Sequence, residues 1–562
     1  MLLSVLSTYA IALVAPWLHK LAPRRSAAVL ALVPAALTLY FLTLLRGAAE
    51  GAVAAESTPW LPAQGVALAF VADGLGALFA TVISGAGTVV VLYSGQYLRG
   101  HPEQGRFFGY VLAFMASMLG LVLSDDVIGL FVFWELTSIT SYLLIGFKHA
   151  DASVRASALQ ALLVTAGGGL LLLAGLIMLG MAGGTTSITE LVARSGALRE
   201  HELFVPSLCL IVVAAFTKSA QFPFHFWLPN AMVAPTPVSA YLHSATMVKA
   251  GVYLLARLLP IYGGTELWFW LLTISGGVTM LLGACLALQQ TDLKLCLAYS
   301  TLSVLGALTL LLGDGSSAAV QAAVVLILAH AAYKGALFLV VGCIDHDLHT
   351  RDVSALSGLR RRMPITAVAA VGAALSMAGV PPGLGFVSKE LLYAANLERE
   401  APFAYLLTAA SVLTYALLVA VAGIVGVRPF FGPLQGSDGG RHEPPPSMWA
   451  GPLLLAASGL FSFASPQMSR VVDSATGAAC AQQGGASLAV WHGPGATFWL
   501  SLATLGGGLV AYRGRRQLNA VVAPLHVLGN WGPSRVYDAG LAALNAAAHF
   551  QMRVLQPGYL SY

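Results

Sequence analysis

The chain has 562 residues, of which 57% are hydrophobic and only 9% are charged, and its formal net charge is +5. A soluble protein of this length needs many more charged residues to cover its surface, so the composition indicates an integral membrane protein. The longest polar intervals, 46–64, 435–447 and 465–494, are predicted loops, which excludes a large extramembrane catalytic domain. The small positive charge is typical of basic loops that set membrane orientation and does not indicate a nucleic-acid partner.

Apolar blocks of about 20 residues recur along the whole chain and predict an all-α, polytopic fold with roughly fourteen to sixteen transmembrane helices. The first block is followed directly by HKLAPRR and a second apolar block, so we interpret it as a first helix rather than a removable signal peptide. The five cysteines show no paired spacing, and we expect neither a metal site nor a redox cofactor.

The basic residues are concentrated in alternate loops. With the amino terminus outside, the positive-inside rule is satisfied. The loops that would then face the inside hold Lys20, Arg24, Arg25, Arg99, Arg106, Lys148, Arg155, Arg351, Arg360, Arg361, Arg362, Arg513, Arg515 and Arg516.

Glu135 is the first ionisable residue deep inside an apolar block, LFVFWELTSITSYLL. At about 1.5 Å per residue it lies some 13 Å or further from the flanking charges Asp126 and Lys148. A charge near the bilayer centre costs roughly 2.5 to 3.5 kcal/mol on insertion scales, and a glutamate is too short to reach the interface. We expect Lys218, in the stretch TKSAQFPFHFWLPN, to compensate this charge, and such a pair could load and release a proton.

The next candidates surround the segment APTPVSA at 234–240, where Pro235 and Pro237 are predicted to break a helix. His243 follows the break, and Lys249 lies in HSATMVKAGVYLLAR. The alternatives are that His243 is a hydrogen-bonded packing residue and that the ammonium group of Lys249 snorkels to the interface.

Two further ionisable residues, His330 and Lys334, are spaced i, i+4 and therefore share one helix face. Thr291 and Asp292, just before Lys294, are interpreted as a capped helix start on the inside face, and Asp73 as another helix cap.

A second proline interruption, AGVPPGLGF at 378–386, contains Pro381 and Pro382, and Lys389 follows it. Snorkelling is again the alternative for Lys389. Broken helices at comparable places in two halves of a chain are typical of transporter repeats with an ion path at the breaks. The alternative is two tolerated kinks.

Five segments together carry a resemblance to a known family: FWELTSITSYLLIGF, TKSAQFPFHFWLPNAMVAPTPVSAYLHSATMVKAGVYLLAR, QQTDLKLCLAYSTLSVLG, HAAYKGALFLVVGCIDH and SMAGVPPGLGFVSKELL. They resemble the antiporter-like subunits shared by respiratory complex I and the multisubunit Mrp-type cation/proton antiporters, over roughly residues 73–431. Lys249 in ATMVKAGVY, the segment TSITSYLLIGF and the segment IDHDLHTRD resemble the Mrp A subunit in particular.

The resemblance implies fourteen core helices that contain two inverted five-helix repeats, each with a broken helix. It divides the chain into amino-terminal helices at 1–105, a first repeat at 106–262, a second repeat at 263–430, and carboxyl-terminal helices at 431–562 that are incomplete relative to the family. It also implies a charged file across the membrane midplane, formed by Glu135, Lys218, Lys249, His330, Lys334 and Lys389. The expected location is the plasma membrane of a prokaryotic cell.

The sequence departs from the family pattern at two places. Asn230 and Val233 stand where acidic residues are usual, so a cation or water contact there is expected to be weaker or differently placed. The family's A subunits also continue beyond a point like the final VLQPGYLSY, which we interpret as the start of another span. Three explanations stay open: a truncated chain, a partial sequence, or a separate polypeptide for the rest.

The expected function is therefore that of a secondary transporter subunit rather than an enzyme. Protons taken up through the charged file would drive export of Na⁺ or another monovalent cation, with other membrane subunits as partners and the bilayer as surroundings. The alternatives are a proton-pumping subunit of a complex I type NADH-quinone oxidoreductase, a transporter subunit for another solute such as inorganic carbon, and an assembly scaffold with relic charges.

Overall fold

The computed structural model describes residues 1–433, 443–461, 466–480, 488, 493–522 and 532–555. The chain forms two units, Met1–Tyr512 and Arg513–Tyr562, and each is described by itself. The final stretch VLQPGYLSY lies almost entirely outside the described residues.

Helices make up most of both units. In chain order they are α1 Leu2–Leu21, α2 Ser26–Ala49, α3 Gly74–Tyr97, α4 Gln104–Leu123, α5 Val127–Ile145, α6 Ala152–Gly183, α7 Ile188–Ala193, α8 Ser195–Leu198, α9 Phe204–Lys218, α10 Trp227–Asn230, α11 Thr236–Ala240, α12 Ala250–Tyr262, α13 Glu266–Gln289, α14 Leu293–Asp314, α15 Ser317–Leu348, α16 Pro364–Met377, α17 Leu384–Leu397, α18 Phe403–Ala422, α19 Pro446–Phe461, α20 Pro466–Cys480, α21 Ala496–Arg513, α22 Arg515–Val522 and α23 Pro533–Leu555.

Short irregular turns join several of these helices. Two are π-helical, at Tyr241–Ala245 and Gly423–Val427. The others are 3-10 turns at Pro62–Gln64, Phe224–Phe226, Ala231–Val233, Met247–Lys249, Val353–Ala355 and Leu359–Arg361.

The all-α membrane fold predicted from the sequence is confirmed. Within the described residues, eleven helical segments are long and apolar enough to cross a bilayer, or twelve if α19 and α20 form one span. The prediction of about fourteen to sixteen is higher because it counted apolar blocks regardless of helix continuity. Two such blocks, α9 and α16, are short apolar helices that fall below the length needed for a span. The inverted relation of the repeats and the division at 106, 263 and 431 stay predictions.

Two of the predicted loops contain regular structure. Interval 46–64 includes β1 Ala54–Leu61, which pairs antiparallel with β2 Val66–Ala72, so that Ala54 lies opposite Ala72. Interval 465–494 includes α20. Its sequence is polar overall, but Val472, Ala475 and Ala479 fall on one face and are buried, and a helix of this kind is missed when only mean hydropathy is considered.

The core of the first unit lies around α14 and α15. About nine tenths of the spanning windows of both helices are buried inside the protein, whereas α1 and α2 leave most of their surface exposed. Any charge on the enclosed helices must therefore be compensated by protein groups rather than by water or lipid headgroups.

Asp73 links the start of α3 to α12. As expected, it caps α3, because its Oδ1 atom accepts a hydrogen bond of 2.8 Å from the Gly76 amide. It also forms an ion pair with Arg257 through both terminal guanidinium nitrogens, and the two side chains are only 16% and 12% exposed. Breaking a largely buried pair leaves one charge uncompensated.

Replacing Asp73 with alanine is therefore expected to destabilise the protein by about 3 kcal/mol or more, through the ion pair and the lost helix cap. Glu50→Ala is the matched control, because the ion pair between Arg46 and Glu50 is 85% and 59% exposed and such pairs contribute at most about 1 kcal/mol. Thermal unfolding of the purified chain measures both variants. Equal losses in the two would show that the Asp73 pair does not hold α3 to α12.

Candidate functional site

The ionisable residues predicted from the sequence lie in the interior of the first unit. Six of them have no exposed surface: Lys218, His243, Lys249, His330, Lys334 and Lys389. The seventh, Glu135 on α5, is partly exposed.

Lys218 is the last residue of α9 and is fastened to α5. Its Nζ atom donates to the Ser138 hydroxyl at 2.7 Å and to the Trp134 carbonyl oxygen at 3.1 Å, and it lies 5.1 Å from the centre of the Trp134 indole. Trp134 and Ser138 flank Glu135 along α5. The structure therefore places the ammonium group of Lys218 against the helix that carries the predicted carboxylate partner.

In the described part of the chain, the charged atoms of Glu135 and Lys218 are not within 4.0 Å of each other, so the predicted charge compensation does not take the form of a direct ion pair there. Lys218 is occupied by Ser138 and Trp134, while the Glu135 Oε1 atom is buried without a hydrogen-bond partner. Glu135 is directed at Gly169 of α6, where a Cβ atom would lie 1.7 Å from Oε1. The two charges still act on each other, since Lys218 binds residues of α5 on either side of Glu135.

The first break spans a longer interval than the segment APTPVSA. Helix α9 stops at Lys218, and the short helix α10 lies between two 3-10 turns before α11 begins at Thr236, directly after Pro235 and with Pro237 in its first turn. Within this interval, Trp227 donates from its indole Nε1 to the Thr217 carbonyl at 3.0 Å, which satisfies a carbonyl at the end of α9.

A second irregular stretch follows, in which a π-helical turn carries His243 and a 3-10 turn carries Lys249. Both nitrogens of His243 are buried without a hydrogen-bond partner. A π-helical turn frees backbone groups and is frequent at functional sites. This stretch was not predicted, because its sequence contains no proline between Pro237 and the start of α12.

Helix α15 carries His330 and Lys334, and the side chain of Lys249 reaches the same helix. The Lys249 Nζ atom donates to the Ile327 carbonyl at 2.9 Å, one turn before His330, and Lys334 lies one turn after it. The His330 ring is fully buried beside the Ser244 backbone, and both lysine charges act on it. His330 therefore lies between two amines.

Lys334 is held in the same way as Lys218. Its Nζ atom donates to the Ser300 hydroxyl of α14 at 2.5 Å and approaches the Leu297 carbonyl at 3.4 Å. A serine hydroxyl can accept a hydrogen bond from an ammonium group and can donate one to a neutral amine. The contact is therefore compatible with either protonation state of the lysine.

The second break separates α16 from α17 and contains Pro381 and Pro382. Lys389 on α17 turns back into it, because its Nζ atom donates to the Gly379 carbonyl at 3.0 Å. The full burial of Lys389 and Lys249 argues against the snorkelling alternative for both.

Sequence reasoning missed the burial of Lys294 in the first turn of α14. Asp292 caps this helix as expected, but Lys294 is 1% exposed, and its Nζ atom donates to the Met232 and Ala234 carbonyls at 2.7 and 2.6 Å. These carbonyls were freed by the first break, and the charge of Lys294 acts on His243. A lysine beside a helix cap is typical of a solvated turn, so no sequence signal could have found it.

Asn230, where the chain departs from the family pattern, has a local partner. Its Nδ2 atom donates to the Gln160 Oε1 atom of α6 at 2.7 Å. Val233, the other departure, is 37% exposed. Two neutral residues thus stand at this mouth of the first break.

Comparisons with known proteins identify the family of the chain. The family described as NADH:quinone oxidoreductase/Mrp antiporter, transmembrane, matches residues 124–414, and the family described as NADH-ubiquinone oxidoreductase (complex I), chain 5 amino terminus, matches residues 60–108. The chain is 37% identical to the A subunit of the Na⁺/H⁺ antiporter of Alkalihalophilus pseudofirmus, over 99% of this chain and 73% of that protein. It is 44% identical to the A/B subunit of a probable K⁺/H⁺ antiporter of Rhizobium meliloti, over 83% of this chain and 47% of that protein.

A solved structure of the Mrp complex from a Dietzia species contains a similar chain, with a TM-score of 0.89 and 36% identity over 100% of this chain and 60% of that one. The chain thus spans between about half and three quarters of the length of these relatives. The long motifs, the matched family and the close structural similarity agree, and the chain belongs to the family of Mrp antiporter A subunits.

Proposed function

We propose that the chain is the proton-translocating subunit of a multisubunit cation/proton antiporter, in which proton uptake drives export of Na⁺ or K⁺. The observation that carries this proposal is the set of buried lysines whose ammonium groups contact hydroxyls and carbonyls instead of carboxylates. The relatives named as subunits of Na⁺/H⁺ and K⁺/H⁺ antiporters support both cations as candidates.

The energetic argument concerns how firmly each proton is held. A buried lysine in a tight ion pair keeps its proton, because losing it leaves a carboxylate uncompensated in a medium of low dielectric. Among the described residues, no carboxylate lies within 4.0 Å of the ammonium groups of Lys218, Lys249, Lys334 and Lys389 to fix their charge in the way Asp73 fixes that of Arg257. Their protonation therefore responds to the charges of their neighbours.

The proposed route begins at Glu135 and Lys218, passes Lys249, His330 and Lys334, and ends at Lys389. A proton that arrives at one lysine raises the electrostatic cost of a charge on the next, so protonation propagates as alternating loading and release. His330 suits an intermediate position, because its neutral ring can accept at one nitrogen and donate at the other. His243 and Lys294 border this route at the first break.

No covalent step is needed, and the chemistry is proton transfer with electrostatic displacement. Other membrane subunits of the complex are the proposed partners, and the cation path is shared with them. The two broken helices supply backbone carbonyls outside regular helix, which such paths use at membrane depth, and the Met232, Ala234 and Gly379 carbonyls already accept from buried lysines.

The proposal is tested in everted membrane vesicles that contain the complete complex, from a host without its own antiporters. Respiration acidifies the vesicles, and a pH-sensitive dye then reports the proton gradient. Added NaCl or KCl is expected to dissipate the gradient, whereas choline chloride is not. An assembled complex that leaves the gradient intact with both cations would overturn the proposal, and copurifying flavin and iron-sulfur subunits would favour the oxidoreductase alternative.

A further inference from the structure

A small basic pocket lies at one membrane end of α4, α5 and α6, and its lining includes none of the residues of the proposed route. It has a volume of about 160 Å³, several times the roughly 30 Å³ that one water molecule occupies in the liquid. It is lined by Arg106, Tyr110, Tyr142, Leu143, Gly146, His149, Arg155 and Ala158.

The pocket contains more positive than negative charge. The Arg106 side chain forms an ion pair of 2.7 Å with Glu103 and also lies 3.2 Å from the His149 Nδ1 atom. The Arg155 guanidinium donates to the carbonyls of His149 and Ala150 at 2.6 and 3.0 Å, and it makes no ion pair within 4.0 Å in the described part of the chain. In the described part of the chain, the Arg155 guanidinium thus forms no direct ion pair, although the charge of Asp151, one turn before it, acts on it.

The position of the pocket relative to the bilayer is defined by the ends of its helices. Helix α5 ends and α6 begins at this end, which also carries Arg99 and Lys148, so it is the end expected to face the cytoplasm. The lining residues Tyr110 and Tyr142 are aromatic residues of the kind enriched at the membrane interface.

An apolar surface continues from the pocket into the membrane. Ile139 lies one turn below Tyr142 on α5, while Leu159 and Leu163 follow Arg155 at intervals of one turn on α6. All three are between 42% and 49% exposed. The combination is a positively charged pocket at the interface above an exposed apolar strip.

We propose that this pocket binds an anionic phospholipid, with the headgroup phosphate at Arg106 and Arg155 and an acyl chain along the apolar strip. Arginine recognises phosphate through paired N–H donors, and basic pockets between transmembrane helices on the cytoplasmic side are suited to such headgroups. A free phosphate would leave the apolar strip uncovered, and a zwitterionic lipid would bring an ammonium group towards the guanidinium groups. Both are bound more weakly than an anionic phospholipid.

The test is native mass spectrometry of the full chain in detergent, titrated with phosphatidylglycerol or with phosphatidylcholine of the same acyl chains. The chain is expected to retain phosphatidylglycerol preferentially, and Arg106→Gln with Arg155→Gln is expected to weaken this retention about tenfold or more. Arg99→Gln is the matched control, because it removes an exposed charge from the same membrane end outside the pocket, and it should change retention less than twofold.

The paired lysine variant, Arg106→Lys with Arg155→Lys, separates charge recognition from loss of the carbonyl contacts, and it should retain the lipid within about threefold of the unmodified chain. The proposal is overturned if the chain retains both lipids equally, or if the glutamine pair retains phosphatidylglycerol as well as the unmodified chain does. It is also overturned if Arg99→Gln loses as much phosphatidylglycerol as the glutamine pair. Loss in the lysine pair as complete as in the glutamine pair also overturns it. If millimolar inorganic phosphate displaced phosphatidylglycerol, the pocket would be assigned to a free anion instead. If the isolated chain retained phosphatidylglycerol but the assembled complex did not, the pocket would be assigned to a protein partner.

Discussion

Replacing Lys218 with alanine will abolish proton-coupled cation exchange while the complex still assembles. The variant removes an amine that contacts the Glu135 helix, so a proton arriving there loses its acceptor at the end of α9. We expect the exchange rate in everted vesicles to fall more than tenfold, with Na⁺ and with K⁺ alike. Glu135→Ala is expected to have the same effect, because both groups form the proposed entry.

The loss is expected to be functional rather than structural. Without Lys218, the Ser138 hydroxyl still donates to the Trp134 carbonyl at 3.3 Å, so neither group becomes buried without a partner. Removing an unpaired buried charge also relieves its desolvation cost. Copurification of the complex in unchanged amounts would verify that assembly is intact.

Lys148→Ala is the matched control for charge, because Lys148 follows α5 in an exposed loop, and its exchange rate should stay within about twofold of the unmodified complex. If Lys218→Ala exchanged cations at the normal rate in assembled complexes, the relay would be wrong. The assembly-scaffold alternative, in which the buried charges are relics, would then gain support.

Sequence reasoning identified the buried charges because an ionisable residue inside an apolar block is rare and costly. It identified the region of both breaks because proline removes a backbone donor. It missed the contacts that set the behaviour of the charges. Ser138 and Ser300 are small polar residues that occur in many membrane helices, and only the packing of α5 against α9 and of α14 against α15 shows that each faces a lysine.

The pairing of Glu135 with Lys218 stays a prediction, and in the described part of the chain Lys218 contacts the helix of Glu135 through Trp134 and Ser138. Opposite charges attract, but the position of an ammonium group at a helix end is also decided by hydroxyls and carbonyls within reach. The π-helical turn around His243 was not predicted, because it depends on tertiary packing, which a local proline pattern does not reveal.

Replacing Gly169 with alanine is expected to impair exchange about as strongly as an entry-residue variant, although the change adds only one methyl group. A Cβ atom at this position of α6 would lie 1.7 Å from the Glu135 Oε1 atom, so the carboxylate must move. The contacted atom is the end of a flexible side chain, so the helix can stay in place while the carboxyl group rotates away from Lys218. Misplacement of a reacting group by about 1 Å can cost a hundredfold in enzymes, and proton transfer has a similar dependence on distance.

The neighbouring glycines supply matched controls. Gly167→Ala adds the same methyl group where no atom lies within 4 Å, and it should leave exchange unchanged while favouring the helix by up to about 1 kcal/mol. Gly168→Ala meets the Thr217 side chain, with its Oγ1 atom at 1.8 Å and its Cβ atom at 2.8 Å. Because a Cβ atom cannot rotate away, this variant should lower the melting temperature.

The three alanine variants lie within one turn of α6, and together they distinguish an effect on cation exchange from an effect on thermal stability. The expected pattern is lost exchange with normal thermal stability for Gly169→Ala, lost stability for Gly168→Ala, and neither for Gly167→Ala. Normal exchange in Gly169→Ala would mean that the Glu135 carboxylate acts equally well from another position. If Gly169→Ala instead lowered the melting temperature as much as Gly168→Ala does, Gly169 would be needed for the packing of α6 rather than for the placement of the carboxylate. Since the displaced group is the proposed proton entry, Glu135→Ala combined with Gly169→Ala should be no more impaired than Glu135→Ala alone, because both changes act on the same step.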